Sequence, residues 1–354
     1  MPYAINDKRS KVGKDMRERV LFFDLLRCVA AVAVIAIHVL APYRNELGVI
    51  PMDQWLTAVG VNSVTRWAVP VFILITGALM LSDTRPFDGK YYVKRRLGKV
   101  LVPFLIWSTF YAYLSGWTAQ EFDFETVKEV LSNSPFHATY YHLGFFYYFI
   151  PLYFVIPLFQ WMARNVDDNV LYTYLAFWMF TSTLFLFKID GPWSNQMWLY
   201  MGYLPLGYVL FQKVPLNRSM VTLFTGFGLV ALAVTFTMVV TNSLEAEKYT
   251  VGRWLSYKTL NVILAASMIF MLCRYFGEGL PKNVQKVVSF ISQHSLGIYL
   301  LHPIFLWPMK EFGWYTGHPG WVIPVWIVLS GAGSLGDELF VLEISQDSLV
   351  TAVS

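Results

Sequence analysis

The chain has 354 residues, of which 56% are hydrophobic, 18% aromatic and 14% charged, and its net charge is +4. Soluble domains typically contain about 25% charged residues, so this composition argues against a soluble globular protein, and it also excludes intrinsic disorder. The remaining class is a multi-pass membrane protein. Two cysteines, Cys28 and Cys273, fall in apolar runs, which predicts buried thiols and no disulfide framework. Because no motif has metal-ligand spacing, we expect no metal and no bound cofactor.

The transmembrane helices are predicted from the apolar runs. Residues 1–19 form a basic N-terminal segment without the cleavage pattern of a signal peptide. Beyond it, runs of about 18–24 apolar residues predict an all-α membrane protein, a single bundle of about ten transmembrane helices. The predicted spans are 20–42, 60–81, 97–117, 143–163, 170–187, 196–212, 220–241, 255–274, 289–309 and 320–336.

Lysine and arginine are distributed unevenly over the predicted loops. With the N-terminus in the cytoplasm, the inner segments hold 18 of the 27 basic residues and the outer segments hold 8. This bias favours a cytoplasmic N-terminus, and an even number of spans then puts the C-terminus in the cytoplasm as well. Because the basic residues are dispersed over several loops and not gathered on one face, we expect no nucleic-acid partner.

The first predicted helix contains three ionisable residues, Asp24, Arg27 and His38. Such residues are costly inside a membrane and are therefore candidates for a functional role. At about 100° per residue all three lie on one narrow stripe, and His38 lies ~16 Å further along the axis than Arg27. A structural pair of Asp24 and Arg27 is the alternative interpretation. For His38 the alternatives are a general base, since its pKa lies near working pH, and a hydrogen-bonded core histidine.

The second and third predicted spans bring further candidates. Arg66 opens the second span, and Pro70 and Gly77 follow it as an expected kink and an expected close-packing point. A basic run precedes the third span and is either a topology anchor or a phosphate-binding site, because arginine forks match phosphate oxygens. Its candidate phosphate ligands are Arg95, Arg96 and Lys99.

Two later helices carry polar side chains at regular spacing. The fourth span opens with aromatic residues around Tyr141 and His142, which suit the membrane interface or a contact with a sugar. In the ninth helix, spacings of four and seven put Ser295, Tyr299 and His302 on one face. This face serves either helix–helix hydrogen bonding or a functional site.

Taken together, these motifs resemble the acyltransferase-3 family of integral-membrane O-acyltransferases, and within it the branch that contains the O-acetyltransferase of enterobacterial common antigen. The matching motifs extend from about residue 20 to about residue 310. They are Phe23–Arg27 followed by His38, Val69–Phe72 with Thr76–Gly77, Arg96–Lys99 before Pro103, Tyr141–Leu143 with Phe145–Phe146, and Ser295–Tyr299 with His302. The chain departs from the family pattern at Lys99, where arginine is commoner, and at Gly144, where tryptophan is frequent.

The resemblance implies cytoplasmic acyl-CoA, by default acetyl-CoA, as the donor substrate, and a hydroxyl of a carbohydrate or lipid-linked glycan as the acceptor, in the bacterial cytoplasmic (inner) membrane. It also implies that Arg27 and His38 are essential. We assign Asp24, Arg27 and His38 to catalysis. The residues assigned to donor binding are Arg95, Arg96 and Lys99, and those assigned to the acceptor are Arg66, Tyr141, His142, Ser295, Tyr299 and His302. The alternative functions are a transporter or flippase of a lipid-linked glycan and a non-catalytic component of polysaccharide assembly.

We expect one transmembrane acyltransferase domain over residues 20–336, in contact with membrane lipids. The tail, residues 337–354, has four acidic residues and no lysine or arginine, although inner tails usually carry positive charge. This pattern predicts a frameshifted, truncated or cloning-derived end from about residue 331, or else a short or distorted last span.

Overall fold

The structure, a computed structural model, describes residues 21–118 and 121–351, with side chains through residue 337. Within these ranges the chain is helical and contains no β-strand. Eight helical segments are long and apolar enough to cross a membrane, which supports a multi-pass membrane protein. These segments are Leu21–Val39, Met52–Leu81, Gly89–Ser115, Tyr141–Asn165, Asp168–Leu186, Arg218–Glu245, Leu260–Gly277 and Pro319–Asp337.

The individual α-helices and the short helical turns between them are named in chain order. The α-helices are α1 (Leu21–Val39), α2 (Met52–Thr65), α3 (Ala68–Leu81), α4 (Gly89–Tyr92), α5 (Gly98–Ser115), α6 (Phe124–Asn133), α7 (Phe146–Asn165), α8 (Asp168–Leu186), α9 (Gln196–Met201), α10 (Tyr203–Tyr208), α11 (Arg218–Glu245), α12 (Leu260–Gly277), α13 (Lys282–Gln293), α14 (Ser295–Glu311) and α15 (Pro319–Thr351). Short 3₁₀ turns occur at Tyr43–Asn45, Tyr141–Phe145 and Pro192–Ser194, and π-turns occur at Val93–Leu97 and Val209–Lys213.

Two of the predicted spans are broken into shorter helices. The span predicted at 196–212 consists of α9, α10 and the second π-turn, and the one predicted at 289–309 consists of the end of α13 and most of α14. The break between α9 and α10 has a local cause in Pro205. A proline ring clashes with the carbonyl four residues earlier, which here belongs to Met201, the last residue of α9.

Contacts at the two ends of the bundle show where the first broken segment runs. Lys213 Nζ lies 2.8 Å from the Asp168 carboxylate at the start of α8. Arg253 instead pairs with Asp190, just after the end of α8, at 2.7 Å. The segment between Asp190 and Lys213 therefore returns from one end of the bundle to the other.

The second broken segment also traverses the bundle. Ser292, at the end of α13, donates to the Asp24 carboxylate near the start of α1 at 2.7 Å. The Tyr43 hydroxyl, just past the end of α1, donates to the carbonyl of Tyr315, which follows α14. The chain from Ser292 to Tyr315 therefore runs alongside α1 and in the same direction.

The second predicted span differs from the structure at its start. The sequence predicts a span from residue 60 with Arg66 at its opening, but the helical segment begins at Met52 and is interrupted at Arg66–Trp67. Pro70 causes the interruption, since its ring displaces the carbonyl of Arg66, four residues earlier. Arg66 consequently lies at a break in the middle of this segment and not at its beginning.

The close-packing point predicted at Gly77 is confirmed. A Cβ atom at Gly77 would lie 2.0 Å from the carbonyl oxygen of Leu204, and one at Gly207 would lie 2.1 Å from the carbonyl oxygen of Leu74. Helices α3 and α10 thus meet backbone to backbone through a reciprocal pair of glycines, an approach that larger residues would prevent.

Helix α1 occupies the centre of the bundle. It packs against α2, α3, α12, α13, α14 and α15, and residues such as Leu26 and Ala30 are fully buried. Peripheral helices α5 and α11 instead turn apolar side chains outward, with Ile106 62% and Val230 63% exposed. An apolar outer surface of this kind suits lipid and not water.

The last helix continues through the atypical end of the chain without a break at Gly331 or Asp337. The Ser330 hydroxyl donates to the carbonyl of His302 at 3.1 Å. A Cβ atom at Gly333 would lie 2.5 Å from the Phe305 ring. This part of α15 therefore packs directly on α14. The origin of the chain from about residue 331 onward stays a prediction, and the basic segment 1–19 lies outside the described residues.

Replacing Gly77 by alanine should destabilise the protein by about 1–3 kcal/mol, because the added methyl group meets a backbone carbonyl that has no room to move. The matched control is Gly226→Ala in α11, where a Cβ atom meets nothing within 4 Å and alanine costs nothing in a helix. Thermal unfolding in detergent measures both variants. A Gly77→Ala midpoint equal to that of the control would contradict the backbone contact.

Candidate active site

The first candidate cavity has a volume of about 290 Å³ and lies beside the first half of α1. Its apolar wall comes mainly from α3, α7 and α14, and its polar wall is basic. Four cationic side chains line it, from α1, from the first π-turn and from the start of α5, and they are Arg27, Arg95, Arg96 and Lys99. We call it the inner cavity, because the sequence predicts this end of the bundle to be cytoplasmic.

The π-turn Val93–Leu97 helps to gather these charges. It interrupts the helical path immediately before α5 and contains Arg95 and Arg96, while Lys99 follows in the first turn of α5. Turns of this width are rare and often mark functional sites, because they change the direction of side chains relative to a regular helix. Here the basic side chains on both sides of the irregularity reach the same cavity.

Asp83 competes for one of these cations. Its carboxylate lies 3.6 Å from Arg96 Nη2 and accepts hydrogen bonds from Arg85, with Arg85 Nε at 2.8 Å. The hydrogen bond from Arg85 holds the pKa of Asp83 below its usual value, with Arg96 contributing in the same direction. Asp83 is therefore ionised at neutral pH and pairs with Arg96 at the inner cavity.

Asp24 lies behind Arg27 and does not line the cavity. Its side chain is only 2% exposed and accepts hydrogen bonds from Ser292 at 2.7 Å, Ser289 at 3.0 Å and Arg27 Nη1 at 3.2 Å. The i,i+3 contact expected from the sequence is thus present, and two serines of α13 join it. The arrangement ties α1 to α13 and fixes the guanidinium at the edge of the cavity.

A second cavity, of about 400 Å³, lies beside the end of α1. We call it the outer cavity. His38 lines it together with Tyr141 and His142, which begin the segment leading into α7, and with Tyr257 and Lys258 from the loop before α12. A histidine, several phenolic hydroxyls and an ammonium group therefore surround a space that is large enough for a small polar ligand.

His38 belongs to a chain of four rings in contact. Its ring centroid lies 4.7 Å from that of Tyr141 and 5.1 Å from that of His302, and His302 lies 5.6 Å from His142. The His302 Nδ1 atom is 2.7 Å from the carbonyl oxygen of Tyr299. Since a carbonyl only accepts hydrogen bonds, Nδ1 carries the proton and Nε2 of the neutral ring is an acceptor. That Nε2 atom is buried without a hydrogen-bond partner, so it is available to a proton donor nearby.

The two cavities share a wall. Phe145 and Tyr299 line both of them, whereas Ser295 lines only the inner cavity. The Tyr299 hydroxyl donates to the carbonyl of His142, which fixes the ring between the two spaces. Its proton is thereby engaged, so in this structure Tyr299 divides the cavities and does not direct a donor into either of them.

Arg66 does not line the outer cavity but contacts Tyr257, which does. Its Nη1 atom donates to the Tyr257 hydroxyl at 3.1 Å, and its guanidinium lies 5.2 Å from the centroid of the same ring. Because the helix is interrupted at Arg66, the side chain leaves the regular helical path and reaches the loop before α12. Arg66 acts on the cavity through Tyr257.

Tyr257 and Lys258 are not among the predicted site residues, because both fall inside the span predicted at 255–274. In the structure α12 begins only at Leu260, and residues 255–259 belong to the preceding loop. The signal was the polar order Ser256-Tyr257-Lys258, which is unusual for the inside of an apolar helix. The folding of this loop over the bundle depends on the pair formed by Arg253 and Asp190, which sequence spacing does not reveal.

The structure thus divides the predicted site residues into three groups. Arg27, Arg95, Arg96, Lys99, Ser295 and Tyr299 line the inner cavity. His38, Tyr141, His142 and again Tyr299 line the outer cavity, with His302 in ring contact and Arg66 behind it. Asp24 lies in neither. Among the residues that the structure describes, no group of three or more metal-ligating side chains has the geometry to hold a metal ion.

Comparison with protein-family models gives one finding: residues 20–336 match the acyltransferase-3 model, which is described as an acyltransferase domain. The matched region covers nearly the whole chain and ends inside α15. No curated protein matches the chain significantly, and no solved structure does.

Substitution of Asp24 by asparagine should destabilise the protein by about 1–3 kcal/mol, because the buried serine and arginine donors lose a charged acceptor. The thermal midpoint in detergent measures the effect. Ser292→Ala should reduce the additional cost of Asp24→Asn, since the two residues share a hydrogen bond. Strictly additive effects of the two substitutions would contradict the coupling.

Proposed function

Because the chain belongs to the acyltransferase-3 family, we propose that it is a membrane-embedded O-acyltransferase that moves an acyl group, acetyl by default, from cytoplasmic acyl-CoA to a hydroxyl of a carbohydrate or lipid-linked glycan. The observation that carries this proposal is the pair of adjoining cavities along α1, one basic and one containing His38, with Phe145 and Tyr299 in common. The bacterial inner membrane and the branch acting on enterobacterial common antigen are part of the proposal.

The proposed topology has ten membrane crossings with both termini in the cytoplasm. Eight crossings correspond to the long apolar helices. The other two correspond to the broken segments, whose end contacts, Lys213 with Asp168 and Tyr43 with Tyr315, support passage through the bundle. In this orientation the basic residues around Arg96 face the cytoplasm, which is also where acyl-CoA is made.

In the proposed donor complex the phosphates of acyl-CoA contact the cations of the inner cavity. Arginine and lysine bind phosphate through charge-assisted hydrogen bonds, and this cavity offers four such side chains. Arg96 exchanges Asp83 for phosphate. The pantetheine arm then extends along α1 toward His38, a distance of ~16 Å for eleven helical residues, and it displaces the shared aromatic wall as it enters.

His38 is the proposed general base. It takes the proton from the acceptor hydroxyl as the oxygen attacks the thioester carbonyl carbon, and it returns that proton to the thiolate of CoA when the carbon–sulfur bond breaks. His302 Nε2 has no hydrogen-bond partner in the structure, and its ring contacts that of His38. In the proposed complex it accepts the His38 N–H and so orients the His38 ring. Asp24 positions Arg27 and does not touch the reacting atoms. Transfer through an acyl-His38 intermediate is the alternative within the same site.

Replacing His38 by alanine should lower the rate of acyl transfer by about 10²- to 10⁴-fold, the usual contribution of a general base. The assay is release of the CoA thiol by purified protein supplied with acetyl-CoA and surface glycan. His137→Ala is the matched control, because His137 is exposed in the loop after α6. Normal transfer by the His38→Ala variant would contradict the mechanism. No release of the CoA thiol by the wild type in the presence of the glycan would favour a transporter.

Replacing Lys99 by alanine should raise the Michaelis constant for acetyl-CoA by about 3- to 10-fold through the loss of one phosphate contact. The Michaelis constant for S-acetylpantetheine, which has no phosphate, should not change. Lys94→Ala serves as the control, since Lys94 belongs to the same basic run but does not line the inner cavity. An equal effect of Lys99→Ala on both donors would show that Lys99 does not bind phosphate and would favour its interpretation as a topology anchor.

A further inference from the structure

The outer cavity contains positive charge that the proposed chemistry does not use. Lys258 lines the cavity directly, and Arg66 reaches it through the Tyr257 hydroxyl. Lys310 lies at the rim, with its ammonium group 4.6 Å from the centroid of the Tyr141 ring. General base catalysis at His38 requires none of these cations, and a positive charge nearby makes it harder for a histidine to take up a proton.

These cations lack acidic partners. In the ranges that the structure describes, no aspartate or glutamate forms an ion pair with Arg66, Lys258 or Lys310, and none lines the outer cavity. Asp190, which contacts the loop before α12, accepts hydrogen bonds from both terminal nitrogens of Arg253. By contrast, cations on other surfaces, such as Lys213, have carboxylate partners.

Aromatic rings compensate only part of this charge. Lys258 Nζ lies 5.1 Å from the centroid of the Phe185 ring, and the Arg66 guanidinium lies over Tyr257. Such contacts stabilise a cation but leave its hydrogen-bond donors unused. Arg66 Nε is buried and has no hydrogen-bond partner. Burial also lowers the pKa of Lys258 below its usual value, with Arg253 acting in the same direction, because no counter-charge offsets the cost of burying the ammonium group.

We infer that the outer cavity takes an acceptor that carries a negative charge, a carboxylate or a phosphate, that Lys258 binds this charge, and that Arg66 supports its binding through the Tyr257 hydroxyl. The inference rests on the proposed function, because it specifies which class of carbohydrate presents its hydroxyl to His38. The phenolic rings of Tyr141 and Tyr257 supply the faces on which a sugar packs, and the cations orient it. Neutral sugars leave both cations uncompensated in a partly dehydrated space.

The negative group has two sources within such an acceptor. It is either the carboxylate of an acidic sugar or a phosphate ester, such as the one that links a glycan to its lipid. Both make charge-assisted hydrogen bonds with lysine and arginine. Matched small probes separate them, because methyl glucoside, methyl glucuronide and glucose 1-phosphate share the glucose ring and differ in the presence and position of the charge.

The test is equilibrium dialysis of these three radiolabelled probes against the purified full-length protein in detergent. At least one anionic probe should bind about tenfold more tightly than methyl glucoside, as expected for one charge-assisted hydrogen bond. A preference for the glucuronide identifies an acidic sugar, and a preference for glucose 1-phosphate identifies a phosphate ester. Equal binding of all three probes by the wild-type protein overturns the inference without any variant.

Lys258→Gln should remove most of the preference for the anionic probe and leave the binding of methyl glucoside unchanged. The matched control is Lys248→Gln, which removes an exposed charge from the same loop and should retain the preference. Arg66→Gln provides a second variant if Lys258→Gln does not fold. Unchanged preference in a folded variant of either residue overturns the assignment of that residue. Release of the CoA thiol from acetyl-CoA is measured on the same preparations, so failure of acyl transfer is distinguished from failure of charge recognition.

Discussion

The position of α1 constrains everything else in this molecule. One uninterrupted helix contains both Arg27 and His38, and its rise separates them by ~16 Å along the axis. Six other helices surround it and bury most of its side chains. Neither residue is able to move toward the other, so chemistry that needs both must bring an extended molecule to them. The two cavities lie end to end beside this helix, one at Arg27 and one at His38, and together they suit an extended molecule.

The contacts that hold α1 and its neighbours are short and specific. Lipid offers little hydrophobic drive for helix association, so close backbone approach and buried hydrogen bonds have to supply it. The reciprocal glycines Gly77 and Gly207 join α3 to α10, and the Asp24 carboxylate joins α1 to α13 through Ser289 and Ser292. Hydrogen bonds from these donors offset the free-energy cost of burying a carboxylate in a membrane protein, whereas an unpaired carboxylate there would be strongly destabilising. The same residue therefore serves stability and the placement of Arg27.

Much of this arrangement is predictable from the sequence, and the exceptions have physical causes. Apolar length locates the long helices because the hydrocarbon core has a fixed thickness. The scarcity of charge makes Asp24, Arg27 and His38 conspicuous. Helix breaks were predictable only in part. Pro70 was an expected kink, and Pro205 follows the same rule, since each proline displaces the carbonyl four residues earlier. The break between α13 and α14 has no such proline and was not predicted. The position of Lys258 was not predicted, because it depends on a loop whose fold is fixed by the ion pair of Arg253 with Asp190. These two residues are far apart in the sequence, so no local pattern predicts their contact.

The wall formed by Phe145 and Tyr299 has a consequence for the membrane itself. A bilayer stores an electrical potential, and a continuous file of water between its two sides would let protons flow down that gradient. The two cavities approach each other from opposite ends of the bundle, so a single barrier between them prevents such a leak. The paired rings, anchored by the hydroxyl of Tyr299 on the His142 carbonyl, supply that barrier. In the proposed mechanism the wall opens only around a bound donor that fills the opening. The protein then meets the same requirement as a transporter, that no continuous water path crosses the membrane.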